Sequence, residues 1–195
     1  MLTTKDISKL SYLKIAAITG GMAAGKNYVC SLFEKQGFVS IDADQVVHQA
    51  IKDATNDILL AFGDIAKERN INLLDKDGNL NRRELGKIVF SDKALLEKQE
   101  NIVYPYVTRI INLFIDENKD KNCLINATVL YKTPTLLKKC EAIIYVTAPF
   151  FTRIKRAKKR DGMPLKQILA RFHNQRGLYK KYKETGIKII KINNK

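Results

Sequence analysis

The sequence predicts a three-layer α/β domain built on a parallel sheet. Three observations lead there. A short apolar run with β-branched residues opens into a glycine loop, a helical pattern and a second apolar run. Three more such runs follow, interleaved with helical stretches, as in strands buried on both faces. A chain of 195 residues with 45% hydrophobic content is also long enough to close one core.

Residues 14–19 (KIAAIT) end on glycine and read as the first buried strand. Over residues 26–36, Val29, Leu32 and Phe33 share one helical face, and Gly37 is placed to close that helix. Residues 38–41 (FVSI) form the second strand and run into Asp42-Ala43-Asp44. Strand, loop, helix and strand make a βαβ unit with a right-handed crossover and parallel strands. From Gln45 to Asn118 helical patterns dominate, with expected breaks at Phe62-Gly63, at the turn 75–80 (DKDGNL) and at Pro105. This stretch reads as a helical lobe inserted between core strands. Further strands are expected at 123–130 (CLINATVL), 142–147 (AIIYVT) and 187–192 (IKIIKI), giving five in all. Between the last two, residues 150–182 are basic and helical. The expected division within one domain is a core of 12–44, 120–149 and 183–195, a helical lobe of 45–119 and a lid of 150–182.

Composition narrows the function classes. A net charge of +15 fits a nucleic-acid binder, a protein whose substrates are polyanions, or a lysine-coated surface with no specific partner. No recognised nucleic-acid module is visible, so no nucleic-acid partner is expected. No apolar run approaches the roughly 18 residues that span a bilayer, and the first residues lack a continuous apolar segment of the secretory kind. Neither a membrane partner nor a leader is expected, which places the chain in the cytoplasm. Cys30, Cys123 and Cys140 are odd in number and show no CxxC spacing, so reduced, buried thiols are expected rather than disulfides or a zinc site. Two histidines, His48 and His173, are too few for a His-rich metal centre. His48 lies on a predicted helix beside apolar neighbours and reads as structural. Tyr104 and Tyr106 flank Pro105 and read as packing residues, with stacking on adenine as the alternative.

Residues 20–27 (GGMAAGKN) carry the chemistry that the sequence states most clearly. They fit G-x-x-x-x-G-K, and they lie between a predicted strand and a predicted helix, which is the context the motif requires. Gly21, Met22, Ala23, Ala24 and Gly25 let the backbone curl so that successive N–H groups face phosphate oxygens. The helix that follows adds its unpaired N–H groups and positive dipole end. Lys26 supplies a point charge for the β- and γ-phosphates of a nucleotide, with ATP expected. The position after the lysine, where a hydroxyl usually holds Mg²⁺, is Asn27. Its carboxamide oxygen either ligates Mg²⁺ or leaves the place to water.

Two further clusters bear on transfer. Asp42 and Asp44 follow the second strand at the C-terminal edge of the sheet, where open α/β sheets bind ligands. One can accept a hydroxyl proton while the other caps a helix or meets Mg²⁺ through water; for Asp44, N-capping of the run QVVHQAI is the alternative. Arg153, Arg156 and Arg160 recur at spacings of three and four, so they share a helical face. That face is either a solvated basic surface or a lid that meets the charge growing on a transferred phosphoryl group and excludes water. Gly162 and Pro164 break the helix just after Asp161, as a lid hinge would.

In their order, these features resemble the dephospho-CoA kinase family over nearly the whole chain. The resemblance is carried by ITGGMAAGK, VSIDAD, AFGDI near Phe62 and DGNLNRRELGKIVFSD at 77–92. It continues through YP at 104–105, RIKRAKKRDG, Gln175 and INN at 192–194. It implies a P-loop kinase fold with an inserted helical substrate lobe and a helical lid. It also implies ATP and Mg²⁺ as cofactors, and phosphorylation of the ribose 3′-hydroxyl of dephospho-CoA. By resemblance Asp44 is the general base, Lys26 and the loop amides hold ATP, and Arg156 is the lid arginine nearest the transferred phosphate. Arg160 is a second lid cation. Arg82 and Asp42 face the CoA precursor, and Asn193 with Asn194 matches a pair near the adenine. Departures from the family pattern are Asn27-Tyr28 for Ser-Thr, His48 for arginine, and Tyr104 for histidine. The segment from Thr128 to Lys132 replaces Pro-Leu-Leu-aromatic-Glu and reverses a charge. Two other readings stay open: a kinase of the same architecture for another nucleotide-like acceptor, and a nucleotide- or CoA-binding protein without catalysis.

Overall fold

A computed structural model describes residues 7–195. The chain divides into two compact units, one of residues 1–42 and 114–195 and one of residues 43–113.

The first unit is built on five parallel strands in the order β2-β3-β1-β4-β5. They are β1 (Ile15–Gly20), β2 (Val39–Asp42), β3 (Cys123–Asn126), β4 (Ala142–Thr147) and β5 (Ile189–Asn193). β1, β3 and β4 are almost wholly buried, which is why they read as unbroken apolar runs, while β2 and β5 form the edges. Between β1 and β2 runs helix α1 (Lys26–Glu34), which buries Val29, Cys30, Leu32 and Phe33 on the sheet. Gly37 ends it as expected: its N–H donates to the Glu34 carbonyl at 3.0 Å and that of Phe38 to Phe33 at 3.2 Å.

The third strand corrects the expectation of 123–130, because pairing stops at Asn126. The chain then turns into a 3₁₀ segment, Leu130–Lys132. Tyr182 explains the stop. Its hydroxyl donates to the Thr128 carbonyl at 3.1 Å and accepts from the Leu130 N–H at 2.9 Å, taking the groups a longer strand would have paired. Burial pushes the Tyr182 phenol up to about 12, so it stays a neutral donor. The fifth strand begins two residues later than expected, at Ile189.

The second unit opens with helices α2 (Ala43–Asp53), α3 (Thr55–Glu68) and α4 (Arg82–Val89). Helix α5 (Lys93–Glu117) begins in this unit and carries the chain back to the first. Two expected breaks do not occur. α3 runs through Phe62-Gly63, because Ile58, Phe62 and Ala66 are buried at a spacing of four and outweigh the ~1 kcal/mol that an interior glycine costs. α5 runs through Pro105 for a similar reason. Val103, Val107 and Ile111 are buried at the same spacing, each contributing about 1.5–3 kcal/mol against roughly 3 kcal/mol for the proline. The turn at 75–80 does form. Asp75 accepts from the N–H groups of Asp77 and Asn79, both at 2.9 Å, and Leu74 pairs with Leu80 in an isolated bridge. Asn81 then caps α4 by accepting from the Glu84 N–H at 3.3 Å.

In the remainder of the first unit, α6 (Pro134–Leu137) precedes β4. The basic stretch forms α7 (Phe150–Asp161), α8 (Leu165–Asn174) and α9 (Leu178–Lys183). No helix among the described residues is long and apolar enough to cross a membrane. All three cysteines are free and buried as expected, and burial raises each thiol pKa, Cys140 to about 12, so none is a ready nucleophile.

Pro105 is exposed and leaves one carbonyl of α5 without its helical donor. Pro105→Ala is expected to raise stability by about 1–3 kcal/mol, read as a higher urea midpoint at unchanged m-value. A lower midpoint would show that the proline shapes the helix.

Candidate active site

At the C-terminal end of β1 the chain curls through residues 20–25 before α1 begins. Ala23 has φ 59° and Gly25 φ 91°, both left-handed, and no side chain among the described residues caps the helix start. The first N–H groups of α1 are thus left for an anion. The curl is held from outside by four side chains. Gln175, after α8, accepts from the Met22 N–H at 2.6 Å. Arg153, on α7, donates through Nε to the Met22 carbonyl at 2.8 Å while its guanidinium lies 4.1 Å from the Phe172 ring centroid. Asn194 donates from Nδ2 to the Ala24 carbonyl at 3.0 Å, and Arg156 reaches the same carbonyl at 3.4 Å and that of Asn194 at 3.1 Å. Apolar contact supports this clamp: Met22, Ala157 and Ile168 form a small buried core with Ile154, Met163 and Phe172 against it.

The glycines follow from the clamp. A Cβ on Gly21 would lie 2.7 Å from Arg153 Nη2, and one on Gly25 would run into the Asn194 amide. Gly25 also needs its positive φ.

On the other side of the loop is a cavity of about 500 Å³. Among the described residues, Lys26, Asn27, Arg156, Lys159 and Arg160 line it with the loop glycines, which gives four cations and no carboxylate in the lining. Lys26 Nζ donates to Thr128 Oγ1 at 2.9 Å and approaches the Gly20 carbonyl at 3.4 Å, which pins the ammonium at the loop mouth. Arg160 is held by a bidentate pair with Asp161 at 2.7 and 2.8 Å. A wall of this kind suits a polyphosphate.

Gly21, Met22, Ala23, Ala24, Gly25, Lys26, Asn27, Arg156 and Arg160 therefore come together, as the motif and helical spacing implied. Tyr28 is 43% exposed on α1. Arg153 turns out to be half-buried in the clamp, and burial lowers its pKa from the ordinary guanidinium value. Of the asparagine pair, Asn194 touches the loop, while Asn193 ends β5 with its side chain exposed. Asp42 ends β2 beside Asn126 of β3. In the second unit, Asp44 is exposed in the first turn of α2, inside the helix rather than at its N-cap. Helical spacing places His48 and Lys52 on its stripe. Those two residues line a cavity of about 650 Å³ in that unit with Arg82, so His48 is a cavity residue and not a packed one.

Residue reading missed three participants: Thr128, Lys159 and Asn126. Lys159 lay in the basic run. Thr128 and Asn126 were hidden by reading the third strand through to Leu130. Asn126 Nδ2 donates to Asn27 Oδ1 at 3.0 Å, and Asn126 Oδ1 is buried without a partner. Among the described residues no cluster of three or more His, Cys, Asp or Glu could hold a metal. Asn27, which lines the cavity, offers a neutral side-chain oxygen, a donor compatible with Mg²⁺, since that ion keeps several waters and takes most other ligands from phosphates.

A family model for dephospho-CoA kinase matches residues 14–194. The chain belongs to the dephospho-CoA kinase family. Membership makes it a kinase of coenzyme A synthesis that draws on ATP. The dephospho-CoA kinase of Treponema denticola is 35% identical over 172 residues, covering 86% of this chain and 76% of the relative. That of Treponema pallidum is 33% identical over 171 residues, covering 86% and 81%. A solved Thermus thermophilus structure, TT1252, shares the fold with a TM-score of 0.76 at 24% identity, covering 93% of this chain and 88% of that one. Dephospho-CoA kinase from Campylobacter jejuni shares it with a TM-score of 0.61 at 23% identity, covering 93% and 88%.

Gly25→Ala would force a left-handed alanine, costing about 1–2 kcal/mol, and push against Asn194. Binding of a non-hydrolysable ATP analogue, measured by calorimetry, is expected to weaken by roughly tenfold or more.

Proposed function

We propose that this enzyme moves the γ-phosphoryl group of ATP to the ribose 3′-hydroxyl of dephospho-CoA, with Asp44 as general base and Lys26 and Arg156 as the phosphate-binding cations. The observation that carries this reading is the phosphate-loop cavity, lined by Lys26, Arg156, Lys159 and Arg160, with no carboxylate residue in its lining among the described residues. A cationic wall suits the β- and γ-phosphates and the charge that spreads over the phosphoryl oxygens in the transition state.

In the step itself, the 3′-hydroxyl passes its proton to the Asp44 carboxylate as its oxygen bonds to the γ-phosphorus. The bond from that phosphorus to the bridging oxygen breaks, and ADP leaves with the bond pair. Lys26 and the loop amides hold the β- and γ-phosphates, and Arg156 follows the transferred group. The basic helices α7 and α8 act as the lid that keeps water from competing for the phosphoryl group. Asn27 would hold Mg²⁺, which when bound neutralises charge on the β- and γ-phosphates. On the acceptor side, the second cavity supports an anionic substrate, since His48 and Lys52, on the stripe that begins at Asp44, line it with Arg82 of α4. Arg160 is a further cation for the nucleotide. Three buried free thiols support a reducing, cytoplasmic setting.

Asp44→Asn keeps the shape and removes the base. It is expected to lower kcat by roughly 10²–10⁴-fold in an ADP-release assay with ATP, Mg²⁺ and dephospho-CoA, leaving affinity for an ATP analogue unchanged. Undiminished turnover would remove Asp44 from the chemistry. Wild-type turnover with AMP but not dephospho-CoA would reassign the acceptor.

A further inference from the structure

In P-loop phosphotransferases a hydroxyl after the loop lysine and a carboxylate from a neighbouring strand hold the metal. Here carboxamides stand at both places. Asn27 follows Lys26. Asn126 ends β3, paired with Ile18 of β1, and donates to Asn27 at 3.0 Å. The sense of that hydrogen bond matters. Oxygen is the only atom of an asparagine side chain that ligates a hard cation. In the observed sense Asn27 Oδ1 accepts from Asn126 Nδ2, which leaves Asn126 Oδ1 buried and accepting nothing. Asn126 is 7% exposed, so water offers its oxygen little. An unsatisfied buried acceptor is a cost that native structures rarely carry without a reason.

Two carboxamides can bond in either sense. When both amides turn about their terminal torsions, Asn27 Nδ2 donates to Asn126 Oδ1. Asn126 Oδ1 then gains a donor while Asn126 Nδ2 takes the buried place without an acceptor, so the two senses are close in energy and a cation can select the one that frees Asn27 Oδ1, on a residue that lines the cavity. We propose that Asn27 and Asn126 form a reversible amide pair, in which Asn126 is the positioning residue that aims Asn27 Oδ1 at Mg²⁺ on the bound nucleotide. The inference rests on the reading of this cavity as the ATP site. It explains how a chain without the usual hydroxyl presents an oxygen to the ion. It also identifies Asn126 as the neutral counterpart of the strand carboxylate.

Nucleotide affinity reads this directly, without turnover. A non-hydrolysable ATP analogue is titrated by calorimetry in EDTA and in saturating Mg²⁺, and the ratio of the two affinities is the Mg²⁺-dependent gain. Asn126→Leu, close in volume, is expected to cut that gain by about tenfold or more while leaving the affinity in EDTA within about twofold. Asn126→Asp can only accept, so it fixes the pair in the ligating sense and should raise the gain at lower Mg²⁺. Adding Asn27→Ala to Asn126→Asp separates aim from charge: the raised gain is expected to collapse, because the carboxylate acts through Asn27. The proposal is overturned if Asn126→Leu keeps the full gain, if it loses affinity equally in EDTA, or if the double variant keeps the raised gain. Thermal unfolding of each variant identifies any that fails to fold, and Asn126→Asp then carries the test alone. Wild-type protein that binds no nucleotide in either condition would instead overturn the ATP-site reading beneath it.

Discussion

Met22 is gripped through both of its backbone polar groups, its N–H by Gln175 and its carbonyl by Arg153. Much of the site depends on that grip. A phosphate-cradling loop needs its N–H groups turned inward, yet an isolated glycine- and alanine-rich hexapeptide has no reason to stay curled, because glycine loses more backbone entropy on ordering than any other residue. The carbonyls that face outward are where the curl can be fixed, and here they are taken by Arg153, Arg156 and Asn194. One such bond contributes about 1 kcal/mol, and those to guanidinium somewhat more. Several together exceed the cost of holding Ala23 and Gly25 in left-handed geometry.

The clamp also ties the loop to the basic helices. Arg153 and Arg156 come from α7 and Gln175 from the end of α8, so the elements that would cover a bound nucleotide also shape the loop beneath it. Met22, Ala157 and Ile168 give this connection an apolar centre. The arginine face is therefore divided in use. Arg153, half-buried beneath Phe172, holds backbone, whereas Arg156 lies between backbone and cavity, and Arg160 faces the cavity beside its own carboxylate. A charge buried to that extent would be costly with no acceptor; the Met22 carbonyl and the ring face supply the compensation.

What the sequence made legible was local. The central strands were readable because they are buried on both faces, and the loop because its spacing is a chemical requirement. The ends of elements were set by distant residues. Pro105 and Gly63 look like breaks within any short window, and only the burial of Phe62 or of Val103 and Val107 overrules them. The third strand looks apolar through Leu130, but a tyrosine more than fifty residues away takes its backbone groups. That misreading hid Asn126 and Thr128, since a residue in mid-strand is not a candidate for a site at the sheet edge. Helical spacing put the arginines on one face and could not say which of them would be spent on the loop.

In the proposed Mg²⁺ site, electrostatic balance lets carboxamides suffice. A carboxylate there would attract Mg²⁺, and it would also repel the triphosphate and pair with Lys26, Arg156 or Lys159. In a cavity that already carries four cations, the nucleotide's charge is met by the protein. The ion is then left to organise oxygens more than to neutralise them. Under those conditions a ligand's aim matters more than its charge, because Mg²⁺ tolerates little departure from octahedral geometry. Aim is what a partner amide provides. A neutral hydroxyl, Thr128 Oγ1, also helps to fix the ammonium of Lys26 at the loop mouth.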